Sequence, residues 1–411
     1  MMSYNDQRKR MYDICAHEGD DYENFHGSMG TPIYQTSLFV DIGREGGYFY
    51  TRVNNPTFEV AEKKLALMEN AEDAILTSSG MSAITVAMLS CVKSGGHIIT
   101  LSNVYGGTKS QLRYFERLNI ETTYVRGTRV EDFEDAIRPN TQLIYLESPS
   151  TFMFEMQDLE GVAELAKSRG IMTMIDNSWA TPFFQNPLDF GIDIVVHSLS
   201  KYLGGHSDLI GGAVMASREI IEGMRRTERL NFGCQMDPHQ AWMVVRSLRS
   251  FPVRMEKHME NGMKVAKFLD GHPLVAEVKY PGLDGYPQKE LANKYLYGYS
   301  SLFAFTTKGT IEQTREFLHD IQIFNRAPSW GGFDSLLTGV GFGGRGARAG
   351  ARAGANVSRG GSEGNEGGRD ARAPRGEGDL TPGLIRIAIG LESPESLMEA
   401  LDAGLRKHIK I

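Results

Sequence analysis

Residues 171–201 read IMTMIDNSWATPFFQNPLDFGIDIVVHSLSK. The segment holds two largely apolar runs, IMTMI and IDIVV, too short for helices and too continuous for half-exposed strands. Runs of this kind are strands covered on both faces. Each ends in polar residues: Asp176 and Asn177 after the first, His197-Ser198-Leu199-Ser200-Lys201 after the second. The pattern continues toward the N-terminus. AILT (74–77), HIITL, TTYV and LIYLES predict strands, while TFEVAEKKLALMEN (57–70), MSAITVAMLSCV, TKSQLRYFERL, EDFEDAI and DLEGVAELAKSRG predict helices. Strands alternating with amphipathic helices predict an α/β fold built on a mostly parallel sheet with helices on both faces.

Toward the C-terminus, PHQAWMVVRSLRSFPVRMEKHMENGMKVAKFLDGH (238–272) predicts long helix broken near Pro252. Beyond it, EVKYPG, SLFAFTT and LIRIAIG predict strands, and TIEQTREFLHDI and SPESLMEALDAGLRKHI predict helices. The first 56 residues, irregular and rich in Gly and aromatics, predict an arm. Residues 341–378, dominated by Gly, Arg and Ala, cannot bury enough to offset the entropy of ordering and predict a disordered insert.

The 411 residues carry a formal net charge of −7, which argues against a nucleic-acid partner. Three scattered cysteines without a CxxC pair suggest neither a disulfide framework nor a zinc knuckle. His17-Glu18 opens like a zinc helix, but no second His follows at the required spacing, so no metal is expected. No apolar run is long enough to span a bilayer and no secretory h-region is present, so the expectation is a cytoplasmic protein without membrane contact.

Ligands of open parallel sheets bind beyond the carboxyl ends of the strands. After AILT, Ser78-Ser79-Gly80-Met81 opens a helix whose N–H groups can meet a phosphate. After HIITL comes Tyr105, a ring at the same rim. Asp176 leaves a buried strand and can keep a heteroaromatic nitrogen protonated. Lys201 follows another such strand, where desolvation can make its amine a nucleophile or base. Each residue alone reads more readily as a cap, a packing ring or a surface charge. Together they supply what pyridoxal phosphate (PLP) requires: a phosphate anchor, a stacking ring, an acid for the ring nitrogen and an amine for the aldehyde. A nicotinamide dehydrogenase is disfavoured, because no GxGxxG follows the first strand.

SSGMSA, NVYGGT, LIYLESPS, MIDNSWATP, HSLSKYLGGHSD, SWGGFDSL and LIRIAIGLE occur in the order seen in the PLP enzymes of Cys/Met metabolism, and the chain resembles that family from about Gly30 onward. The resemblance implies a fold-type I PLP enzyme with an arm (1–56), a PLP-binding large domain (57–250) and a smaller α+β domain (251–411) carrying the insert. It implies cofactor contacts from Lys201, Asp176, Tyr105, Ser79, Gly80, Met81, Ser198 and Ser200. It also implies that Tyr50 and Arg52, within YTRVNNPT, reach a neighbouring subunit's phosphate, and hence a homodimer or homotetramer. Arg386 matches the arginine that takes the substrate carboxylate, and Ser329 and Trp330 line the substrate pocket. Lys201 and Tyr105 are the implied catalytic pair.

Three positions depart from the family pattern. Thr151 replaces an Asn expected near the cofactor's phenolic oxygen, and Ala388 replaces a Ser. Gly107 stands where methionine γ-lyases place a Cys. Trp330 and the missing Asn favour a cystathionine β-lyase-like reaction giving pyruvate and ammonia. The alternatives are γ-elimination or γ-replacement, as in cystathionine γ-lyase, cystathionine γ-synthase or O-acetylhomoserine sulfhydrylase, and a non-catalytic PLP-fold binding protein.

Overall fold

A computed structural model describes residues 3–40, 47–340 and 383–411. The predicted insert (341–378) lies outside them. Two sheets organise the chain. The larger has seven strands: β1 (Asp73–Thr77), β2 (His97–Leu101), β3 (Glu121–Val125), β4 (Thr141–Glu147), β5 (Met172–Asp176), β6 (Ile194–Ser198) and β7 (Gly212–Ala216), in the order β1-β7-β6-β5-β4-β2-β3. The β6–β5–β4–β2–β3 ladders are parallel, while β7 runs antiparallel between β1 and β6. Apart from the edge strand β3, its strands are buried on both faces because helices cover both: Ile98, Ile99, Leu143, Ile144, Met174, Ile175, Val195 and Val214 are all inaccessible to solvent. Full burial of such a side chain stabilises the fold by roughly 1.5–3 kcal/mol each.

The second sheet has the order β10-β11-β12-β9-β8, formed by β8 (Val275–Lys279), β9 (Leu302–Thr307), β10 (Asn325–Arg326), β11 (Leu336–Gly339) and β12 (Ile385–Ala388). The helices Pro238–Arg249 and Phe251–Asp270 lead into it. They break at Ser250, so Pro252 falls in a first turn, where its missing N–H costs nothing. Among the described residues no helix is long and apolar enough to cross a membrane.

Two expectations change. The arm is not irregular throughout: Tyr4–Ala16 is a helix capped by Ser3, whose side chain accepts the Asp6 N–H. It buries Gln7, Met11, Ile14 and Cys15 along one face, a helical spacing hidden in the sequence by the charges between them. The Gln7 amide donates to the Pro182 carbonyl at 2.5 Å and to Asn186 Oδ1 at 2.8 Å, which fastens the helix to the large sheet's layer. The strand β7, preceded by Gly211 and opening with Gly212, was not anticipated. Its first residue, Gly212, lies against Ser79: a Cβ there would stand 2.2 Å from the Ser79 carbonyl oxygen. Close packing of β7 on that turn therefore sets where the helix Gly80–Cys91 begins.

Candidate active site

The carboxyl ends of the parallel strands face a cavity of about 310 Å³, a size suited to a small organic ligand. Ten of the residues singled out in the sequence line it: Ser79, Gly80, Met81, Tyr105, Asp176, Ser198, Ser200, Lys201, Trp330 and Arg386. Ser329 joins them through a hydrogen bond from Lys201 Nζ to its Oγ at 2.9 Å. Tyr50 and Arg52 do not line it. They lie together, with the guanidinium 5.6 Å from the ring centre, and Arg52 is exposed.

Each side chain reaches the cavity for a local reason. Ser79 caps the helix Gly80–Cys91, its Oγ accepting the Ser82 N–H at 3.1 Å. The first N–H groups of that helix have no intrahelical acceptor and point at the rim. Tyr105, 48% exposed, opens the helix Gly106–Phe115. Lys201 lies in the turn after β6, its Nζ 5.2 Å from the Trp330 ring centre. Gly331, at φ +81°, lets the chain press on the Lys201 turn, since a Cβ there would lie 2.7 Å from Tyr202 N. This explains why Gly follows Trp330.

Arg386 comes from the second sheet, on β12 between β9 and β11. Although 8% exposed, it has a backbone acceptor, donating from Nη2 to the Pro328 carbonyl at 2.6 Å. Its guanidinium lies 5.1 Å from the Phe152 ring centre.

Burial dominates the electrostatics. It lowers Lys201 to about 8, helped by the Arg386 charge and opposed by Asp176. It lowers Arg386 to about 10, which leaves the guanidinium charged. It raises the Asp176 carboxyl, against the lowering effect of Ser178 hydrogen bonds, His197 and Lys201.

Sequence reasoning missed Glu147, the last residue of β4. Its carboxyl lines the same cavity, accepts the Tyr105 N–H at 2.8 Å and the Thr151 hydroxyl, and is raised to about 8 by burial and by Asp176. The rule that found Asp176, an acid ending a buried strand, applies equally to LIYLES. Phe152 was also missed. Nothing in the sequence marks the φ of +63° that sets its ring under Arg386.

A family model described as Cys/Met metabolism PLP-dependent enzyme matches residues 13–340. The chain is 33% identical over 398 residues to an L-methionine gamma-lyase of Fusobacterium nucleatum subsp. polymorphum, covering 94% of this chain and 95% of that one. It is 35% identical over 396 residues to a cystathionine gamma-lyase of Bacillus subtilis (strain 168), covering 95% and 98%. The crystal structure of metB from Corynebacterium glutamicum matches with a TM-score of 0.85 at 31% identity, over 97% of this chain and 98% of that one.

The cavity fits PLP on its own evidence. A Cβ on Gly80 would stand 3.0 Å from the Ser198 side chain, so the missing side chain leaves a cradle between a helix N-terminus and a serine hydroxyl. Asp176 has no ion-pair partner within 4.0 Å among the described residues, so a protonated ring nitrogen would complete it.

The electrostatics predict a shift that can be read in cofactor-free protein. Arg386→Gln removes a positive neighbour, so the pH midpoint of amine-directed labelling at Lys201 should rise from about 8. An unchanged midpoint would show that burial alone sets it.

Proposed function

This chain belongs to the Cys/Met-metabolism PLP-dependent enzymes, and from that premise we propose that it is a carbon–sulfur lyase working by γ-elimination on a sulfur amino acid. The observation that carries the chemistry is the cavity shared by one readily deprotonated amine, Lys201, and one buried guanidinium, Arg386. The choice of γ over β follows from the relatives named above, both γ-lyases by name. It replaces the β-elimination expected from Trp330 and Thr151.

In this reading Gly80, Met81, Ser79, Ser198 and Ser200 hold the phosphate, Tyr105 covers the ring and Asp176 holds its nitrogen. Bound there, PLP supplies an electron sink beside the substrate Cα. Arg386 takes the α-carboxylate through its planar fork. Lys201 Nζ removes the Cα proton; with a value near 8 it is both an effective base and, once protonated, an effective acid. Once it has given up that proton, the same amine serves the second proton removal, at Cβ, that must precede breakage of the Cγ–S bond. Ser329, bonded to Nζ, holds the amine toward Trp330. Phe152, Trp330 and Tyr105 give the side-chain end of the pocket an aromatic wall.

Tyr50 and Arg52 sit outside this chain's own cavity on an arm that exposes Met29, Leu38, Val40 and Phe49. We infer that the arm packs on a second copy and lends both residues to that copy's site.

Two experiments test these readings. Incubated with L-methionine or L-cystathionine, the holoenzyme should release 2-oxobutyrate, and Lys201→Ala should release none. Pyruvate from cystathionine would restore the β reading, and no keto acid from either substrate would refute the lyase assignment. For the shared site, mixed Lys201→Ala and Arg52→Ala chains should recover activity that neither has alone, because the hybrid dimer assembles one intact site. Without recovery after subunit exchange, the arm does not act across an interface.

A further inference from the structure

Glu147 and Asp176 end adjacent parallel strands and are paired in register. Side chains paired in this way project from the same face of a sheet, with strands about 4.8 Å apart, and both carboxyls line the one cavity. Two anions so placed on a buried floor repel strongly, and the favourable arrangement is for one to keep its proton.

The surroundings decide which. Asp176 accepts the Ser178 N–H at 2.9 Å and feels the charges of Lys201 and His197. The groups facing Glu147 are different. Asp176 on β5 repels it, and burial keeps the Tyr145 phenol on β4 neutral. Arg386 on β12 is the facing cation, but its guanidinium is turned to the Pro328 carbonyl and the Phe152 ring. No ion pair to Glu147 within 4.0 Å occurs among the described residues. Its partners, the Tyr105 N–H and the Thr151 hydroxyl, are donors that lower its value, and they do not offset burial and the repulsion from Asp176. Burial and Asp176 together carry Glu147 up to about 8.

These partners are the two loops that frame the cavity mouth. Through the Tyr105 N–H, Glu147 fixes the start of the helix that bears the ring. Through Thr151 it fixes the turn that places Phe152 under Arg386. We propose that Glu147 is a positioning residue that works as a neutral acid, clamping the Tyr105 and Thr151 loops while leaving Asp176 the single anion of the cavity floor.

The variants Glu147→Gln and Glu147→Ala test this in two ways, and the first does not rest on the lyase reading. The cofactor-free protein is melted as a function of pH. A buried acid whose folded value is raised contributes stability that is fully present below its unfolded value, about 4.3, and lost as pH rises through the folded value near 8. Glu147→Gln, neutral at every pH, should therefore flatten the decline in melting temperature across that window. The second readout is turnover near neutral pH. Glutamine can accept the Tyr105 N–H and donate to Thr151, so it should keep kcat/KM within about threefold of wild type. Glu147→Ala leaves a buried donor unpaired and should lose about tenfold or more. Melting profiles of Gln and wild type that run parallel would overturn the proposal. So would a Gln variant that melts normally yet is as slow as Ala, since the anion would then be what the site needs.

Discussion

Four ionisable side chains, Glu147, Asp176, Lys201 and Arg386, share one cavity of about 310 Å³. Removing charges from water is expensive unless they are paired or neutralised, and the rest of the site follows from how that cost is met. Arg386 stays charged with a carbonyl and an aromatic face as partners. Lys201 meets it by becoming easy to deprotonate, and Glu147 by becoming hard to ionise. Asp176 is left with donors but no ion-pair partner among the described residues, and in the proposed function a protonated cofactor ring would supply that partner. The amine proposed as the base is the one whose proton burial and Arg386 have already made easier to lose.

The fold delivers these groups by register. Parallel strands end together, so Glu147, Asp176 and Ser198, the last residues of β4, β5 and β6, arrive at one rim. Close approaches without a Cβ then fix the remainder. Gly212 seats β7 on the Ser79 turn, Gly80 opens the phosphate cradle against Ser198, and Gly331 seats the Trp330 loop on the Lys201 turn. The second sheet contributes Arg386 from a buried strand, which gives its guanidinium a rigid support.

The parallel sheet and most of the residues that line the cavity were legible because both follow from short-range signals. Continuous apolar runs mark strands covered on both faces, and a polar residue ending such a run marks the rim. Asp176 and Lys201 were found that way. Glu147 obeys the same rule and escaped because LIYLES was read only as a strand. The Tyr4–Ala16 helix was hidden by its charged residues, since four buried positions in thirteen leave its apolar face narrow. The positive φ of Phe152 and the insertion of β7 between β1 and β6 depend on tertiary context that no local pattern carries. The choice between β- and γ-elimination rested on single positions, Trp330 and Thr151, and one ring and one hydroxyl do not define where a substrate's leaving group sits; the names of the relatives favour γ.

The central claim is that Lys201 is the residue to which the cofactor is bound. Borohydride reduction of the holoenzyme followed by peptide mass mapping tests it directly, because reduction makes the cofactor–lysine bond permanent. The account predicts the cofactor's added mass on the peptide that contains Lys201, with the other lysines unmodified. The same mass on a peptide containing Lys64, Lys109 or any other lysine, with Lys201 unmodified, would contradict it.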